Sequence, residues 1–241
     1  MAGILTPSQA AEYERDGILF PLPVLAAEEV GRFRGCFEAL VAGLEGRAQP
    51  VRQPHLTLRW AYDLATHPAV TGAVEGVLGP DVLVHSTIIF FKRPGDGGYV
   101  SWHQDGLYAT LRAPRLTSAW IALSHSTVEN GCMRVIPGTH RQGILPHLET
   151  PSADNLLKNG QSIDGVDEER AVDVVLRPGE MSLHHGDIVH GSNPNRSTRE
   201  RIGFIARFVT PEVERAAHPL IRVRGAAPCP HVELMAAPPA G

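Results

Sequence analysis

A histidine and an aspartate one residue apart, His103 and Asp105, lie mid-chain within Trp102-His103-Gln104-Asp105. Alternate side chains of an extended strand share a face, so both can aim at one point while Gln104 faces away. An imidazole nitrogen and a hard carboxylate oxygen, joined by a second imidazole, make the two-histidine, one-carboxylate facial triad of non-haem iron(II) oxygenases. That triad leaves three coordination positions open. His190, on a late strand, is the third ligand in this reading. The pair alone is a weak signal, since 12 histidines and 26 acidic residues produce such spacings by chance. A metal enclosed by two sheets would also need an anchor for a cosubstrate, and arginine grips a carboxylate with two parallel bonds. Arg201 opens the next apolar stretch after His190, far enough along to turn back beside it.

These residues need a scaffold that brings distant segments together. Thr6-Pro7 reads as an N-cap and first helical residue, with a short helix to Glu14 stopped by Asp16-Gly17. Ile18–Phe20 is a short buried strand. Glu28 to Leu44 carries apolar residues at helical spacing, and Cys36 within it reads as packing. Residues 46–59 are polar and contain proline, hence a loop able to reach the site, and Pro68 to Leu78 is a second short helix closed by Gly79-Pro80. From Asp81 the texture changes to strands: 82–92, 99–105, 117–123, 132–136, 171–176, 181–185, 188–190 and 201–209. Asn130-Gly131 marks a tight turn. Residues 140–170 have no sustained period and suggest a lid over an active site. Beyond Pro211 the chain is rich in Ala and Pro, with a mobile end expected after Leu234. About eight strands between Gly/Pro turns, preceded by helices, predict a mainly β protein: a jelly roll with a helical flank at 1–80, a core at 81–210, and one domain in all.

Composition narrows the partners. A net charge of −4 without any basic run argues against nucleic acid or an anionic membrane. No apolar stretch approaches the length of a membrane span. Three scattered cysteines, Cys36, Cys132 and Cys229, form neither a disulfide framework nor a zinc knuckle, which fits a reducing cytoplasm. A monomer or homodimer acting on a small molecule is the expectation.

Three segments together resemble the phytanoyl-CoA dioxygenase family. They are Trp102-His103-Gln104-Asp105-Gly106, the run from Glu129 to His140, and His190-x-Ser192-x-x-Asn195-x-Ser197-x-x-x-Arg201; the opening Leu5–Gly17 is similar too. The resemblance spans most of the chain and its third motif is long and ordered. It implies a double-stranded β-helix (cupin-like jelly roll) using Fe(II), 2-oxoglutarate and O2. His103, Asp105 and His190 would match the iron ligands, Arg201 the residue for the distal carboxylate of 2-oxoglutarate, and Ser192 a helper there. The implied reaction hydroxylates an unactivated C–H bond and releases succinate and CO2. Related halogenases carry a small residue where the carboxylate ligand stands, and Asp105 fills that position here.

Other residues have two readings each. Trp120 could wall the cosubstrate pocket or be plain core. Lys92, closing an alternating strand, reads first as a solvated strand end and second as a charge near the cosubstrate. Of His184 and His185 at most one points inward, neither shows a carboxylate partner, and packing or support of the ligands is favoured. His125, His140 and His147 sit near turns as solvated or lid residues, and Tyr108 is a candidate for the substrate side. Desaturation, cyclisation or epimerisation of a natural-product intermediate, an idle cupin-like binding protein and a metal hydrolase are the rival functions. The loops 46–60, 106–116 and 140–170 carry dispersed arginines but no cluster, favouring a small or medium-sized metabolite over a bulky polyanion.

Overall fold

The computed structural model describes residues 5–42, 49–107, 113 and 115–238. In chain order the elements are α1 (Pro7–Asp16), β1 (Ile18–Pro23), α2 (Ala27–Val41), β2 (Val51–Arg52), α3 (Arg59–Ala65), α4 (Pro68–Leu78), β3 (Val82–Lys92) and β4 (Val100–His103). They continue with β5 (Leu116–Ala122), β6 (Met133–Val135), β7 (Leu148–Glu149), β8 (Gln161–Ser162), β9 (Val172–Val174), β10 (Glu180–His185), β11 (His190–Ser192), β12 (Arg201–Val209) and β13 (Ile221–Arg224). A seven-stranded antiparallel sheet runs β1-β10-β5-β12-β3-β13, with β2 also on β3. A four-stranded sheet runs β4-β11-β6-β9, and β7 pairs with β8. The two larger sheets face each other as a double-stranded β-helix, the jelly roll read from the strand spacing.

Period-two alternation on β12 explains the layering. Ile202, Phe204, Ala206 and Phe208 face the helices and join Phe33, Phe37, Leu64 and Val74 in the largest core. Ile205, on the opposite face, packs with Ile88, Phe90, Trp120 and Met133 between the sheets. Thr6 caps α1 through a box with Gln9, Pro7 follows it, and Gly17 closes the helix at φ 74°. Gly131 holds φ 74°, and a Cβ there would lie 2.2 Å from Asn193 O, so the Asn-Gly turn tolerates no side chain.

Several boundaries differ from the sequence reading. The strand through Asp105 ends at His103, and Asp105 opens a 3-10 turn to Leu107. The strand expected at 188–190 begins only at His190. Residues 46–59 hold β2 and a 3-10 turn at Pro54–Leu56 rather than loop alone, with 43–48 outside the described residues. Helix α3 and strand β13 were not anticipated. Within the 140–170 stretch, Leu156 N donates to Tyr99 O (2.8 Å) and Ile163 N to Trp102 O (2.9 Å), covering the free edge of β4. Among the described residues no helix is long and apolar enough to cross a membrane.

Candidate metal centre and cosubstrate pocket

His103 closes β4, His190 opens β11, and the two are register partners across the four-stranded sheet. Side chains directly opposite in a ladder stand side by side, and the two rings lie 4.1 Å apart between centroids. Asp105 bends in from the following turn, so one ligand atom from each of the three lies within 4.8 Å of the others, all buried. Each imidazole is oriented from behind. His103 Nδ1 meets Ser101 O at 2.9 Å and His190 Nδ1 meets Ile188 O at 3.0 Å, so Nδ1 carries the proton and Nε2 keeps its lone pair for a cation. Gln104 turns away, donating to Gly143 O (2.8 Å) and Asp187 O (2.6 Å) and accepting from Leu145 N (2.8 Å).

The Asp105 carboxylate is held on both oxygens. Ser118 Oγ donates to Oδ2 at 2.7 Å and Arg207 to Oδ1 at 2.7 Å. His184 Nε2 stands 3.6 Å from Oδ2. Burial alone would raise this carboxyl, but the Arg207 guanidinium, with His103 and His184, holds it well below the usual carboxylate range. Burial pushes His190 and His184 down, so both imidazoles are neutral near pH 7. A buried anion beside two lone-pair nitrogens is a donor set suited to a divalent transition metal.

Arg201 lines the other end of the cavity, with Lys92 next to it on β3. Arg201 and Lys92 are register partners between β12 and β3, and both are buried. Lys92 Nζ donates to Ser192 Oγ (2.7 Å) and Asn193 O (2.5 Å), while an Arg201 Nη donates to Gly131 O (2.5 Å). Among the described residues neither has an ion-pair partner, and Arg201 Nε has no hydrogen-bond partner. Burial lowers both, pulling Arg201 to about 10 and Lys92, with Arg201 next to it, well below the ordinary lysine range. Like charges opposite each other away from water are costly, and a bound anion would offset that cost. Trp120 is 4% exposed with its ring 5.3 Å from Arg201 Cζ. It lies over Gly203, where a Cβ would come within 2.0 Å of the indole. Arg201, Ser192 and Trp120 line the same cavity as His103, Asp105 and His190, with about 410 Å³ of empty space partly open to solvent.

A profile of the phytanoyl-CoA dioxygenase (PhyH) family matches residues 13–203. The chain belongs to the phytanoyl-CoA dioxygenase family. A family member from Arabidopsis thaliana named phytanoyl-CoA dioxygenase is 33% identical over 127 residues, covering 53% of this chain and 44% of that protein. The human peroxisomal phytanoyl-CoA dioxygenase is 26% identical over 237 residues, covering 86% and 69%. The chain spans between about two-fifths and two-thirds of the length of the curated relatives it matches. Among solved structures, the non-haem monooxygenase ThoJ superposes with a TM-score of 0.81 at 31% identity, over 95% of this chain and 88% of that one. The carbocyclase SnoK of nogalamycin biosynthesis, described as alpha-ketoglutarate-dependent, gives 0.72 at 25% identity over 88% and 87%.

In this member of the family, two expectations need correction. Lys92 is no solvated strand end: it is fully buried and ties the turn after β11 to Gly131. His184 does have a carboxylate neighbour, Asp105, because β10 runs beside β5 and turns His184 inward. His147, half-buried in the 140–170 stretch and outside the metal cluster, accepts from Gln104 N at 3.1 Å through Nε2, as a lid residue would. His185 faces outward against Tyr13 and His140, while His125 is exposed. Tyr108 lies outside the described residues. Arg207 and Ser118 were missed. On β12, Arg201, Gly203, Ile205 and Arg207 share a face, so alternation from Arg201 would have located Arg207.

Proposed function

We propose that this chain is an Fe(II)- and 2-oxoglutarate-dependent oxygenase that hydroxylates an unactivated C–H bond of a small or medium-sized metabolite. His103, Asp105 and His190 would hold the iron. Arg201, with Lys92 beside it, would bind the distal carboxylate of 2-oxoglutarate, Ser192 would add a hydrogen bond, and Trp120 would wall the cosubstrate. Iron and 2-oxoglutarate, when bound, supply an oxidant from O2 while 2-oxoglutarate is converted to succinate and CO2. The chain's own part is positional: Ser101 and Ile188 carbonyls fix the imidazoles, and Ser118 and Arg207 fix the carboxylate. The apolar walls Phe90, Met133 and Ile205 exclude water.

The observation that carries this reading is a pair of buried cations, without an acid partner among the described residues, of which Arg201 lines the cavity that also holds a two-histidine, one-carboxylate cluster. A hydrolase has no use for such a pair. An idle binding protein has no reason to keep two charges in a costly position. Asp105 in the carboxylate position favours hydroxylation over halogenation. Carbocyclisation, the activity named for SnoK, needs the same cofactors and is separated by product mass. The test is a panel of candidate metabolites assayed with iron and O2 for stimulated succinate release, with products weighed for a gain of one oxygen. Chelator-sensitive hydrolysis without O2 or 2-oxoglutarate would overturn the proposal.

A further inference from the structure

Strand β3 carries an irregularity at one place. Ser86 pairs with Arg207 and Val84 with Phe208, leaving His85 as an extra residue without a partner on β12. Bulges of this kind re-aim a side chain and recur beside active sites. His85 is 7% exposed, yet neither ring nitrogen has a hydrogen-bond partner. The next residue, Ser86, is the register partner of Arg207, the guanidinium that holds Asp105, so the bulge adjoins the strand that supports the metal centre.

Two further histidines surround it. The His218 ring lies 5.1 Å from that of His85 and 6.3 Å from that of His55. His218 is satisfied, with Nε2 on the Gln53 amide (2.7 Å) and Nδ1 on Pro219 O (3.1 Å). His55, fully buried, is half satisfied. Thr87 Oγ1 accepts from His55 N (3.4 Å), and its own proton goes to His55 Nδ1 at 2.9 Å, the acceptor in reach. That leaves the His55 proton on Nε2, a buried donor with nothing to donate to. Gln53, whose amide braces His218 and Thr87 N, sits at φ 56°, the left-handed region, the only non-glycine residue there among those described. Backbone strain, a bulge and orphaned polar atoms seldom coincide in a part that serves folding alone.

We infer that His55 and His85 form a substrate subsite beside the metal centre that takes a neutral group able both to accept and to donate hydrogen bonds, a hydroxyl or a carboxamide. The inference rests on the oxygenase reading for the word substrate, though not for the binding itself. Burial holds His55 to about 4 and His85 to about 3, so near pH 7 both rings are neutral. A neutral imidazole offers one donor and one acceptor. His85 contributes both and His55 one donor, an array that a hydroxyl or amide completes and an alkyl chain leaves unpaired. An all-hydrocarbon acyl tail would strand three polar atoms at a cost for each.

The experiment uses the full chain with 15N-labelled histidine, both metal-free and with Zn(II) and 2-oxoglutarate added. Acetamide, glycerol and hexanoate serve as probes. Acetamide or glycerol should shift the His55 and His85 ring-nitrogen resonances saturably, in both metal states, and hexanoate should not. Because the metal-free arm needs no iron chemistry, failure of the oxygenase reading leaves this result readable. His85→Leu should abolish the response and raise Tm by about 2–4 °C, since it removes unpaired buried nitrogens. His55→Leu should likewise abolish the response. Absence of a saturable shift from both polar probes would overturn the proposal, as would an equal response to hexanoate. A fall in Tm for both variants would also overturn it, because the ring nitrogens would then be satisfied within the protein.

Discussion

Arg201→Met separates a cosubstrate anchor from a structural arginine because stability and binding should move differently. Arg201 and Lys92 are opposed in register, which puts their Cβ atoms about 5 Å apart. At an effective dielectric near 20, two unit charges about 6 Å apart repel by about 3 kcal/mol. Removing the guanidinium relieves that repulsion and forfeits the hydrogen bond to Gly131 O, worth about 1.5–3 kcal/mol for a charged donor. The two nearly cancel, so the ligand-free protein should change by about 1 kcal/mol or less and Tm by no more than about 4 °C. Binding has no such cancellation. Loss of one partner from a buried charge pair costs about 3–5 kcal/mol, or about two to four orders of magnitude in Kd for 2-oxoglutarate. Calorimetric titration of 2-oxoglutarate into the Co(II)-loaded protein, with differential scanning calorimetry of the ligand-free form, measures both. A Kd within threefold of the parent would refute the anchor. A Tm loss beyond about 8 °C with unchanged Kd would make Arg201 a structural support.

Asp105→Ala removes the anionic member of the triad and the carboxylate that Arg207 pairs with. It should abolish metal-dependent succinate release and cost about 3–5 kcal/mol of stability, and full hydroxylation by the variant would sink the ligand assignment. Gly203→Ala places a methyl group where the Trp120 indole lies 2.0 Å away. Overpacking of this kind costs about 1–3 kcal/mol, and the displaced ring should change tryptophan fluorescence and weaken 2-oxoglutarate binding. Stability should also fall with acid. His55, held to about 4, and His85, held to about 3, both lie below the ordinary histidine value of 6.5. The unfolded chain therefore binds protons that the native state refuses from about pH 6.5 downward. Each group removes up to about 1.4 kcal/mol per pH unit in that window until its native value is passed. His85→Leu should flatten the fall seen by denaturant titration between pH 6.5 and 4, and an unchanged slope would remove His85 from the account.

The parts legible in the sequence were those carried by periodicity or by fixed spacing. β3 and β12 were bounded to the residue, because long runs of β-branched and aromatic residues closed by turn residues mark a strand even where a bulge breaks its alternation. His103 and Asp105 do meet at one point, though not by the strand period read for them: the strand ends at His103 and a turn brings Asp105 in. The short elements were illegible for a physical reason: β2 and β11 span two or three residues, too few for any period to register. β13 does alternate, Ile221-Arg222-Val223-Arg224, but sits within an Ala/Pro-rich stretch that masked it. The wider site depends on register, which a single sequence leaves undetermined. Ser118, His184 and Arg207 meet Asp105 only because β10, β5 and β12 are neighbours in one sheet, at pairings His184–Ser118 and Arg207–Ser118. The same register places Lys92 opposite Arg201 and converts a plausible strand end into a second buried cation. Adjacent strands thus decide the charge balance of the pocket: one anion beside Arg207 at the metal end, and Arg201 backed by Lys92 at the other. Such a cavity is polarised before anything binds: its anionic end suits a metal cation and its cationic end a carboxylate.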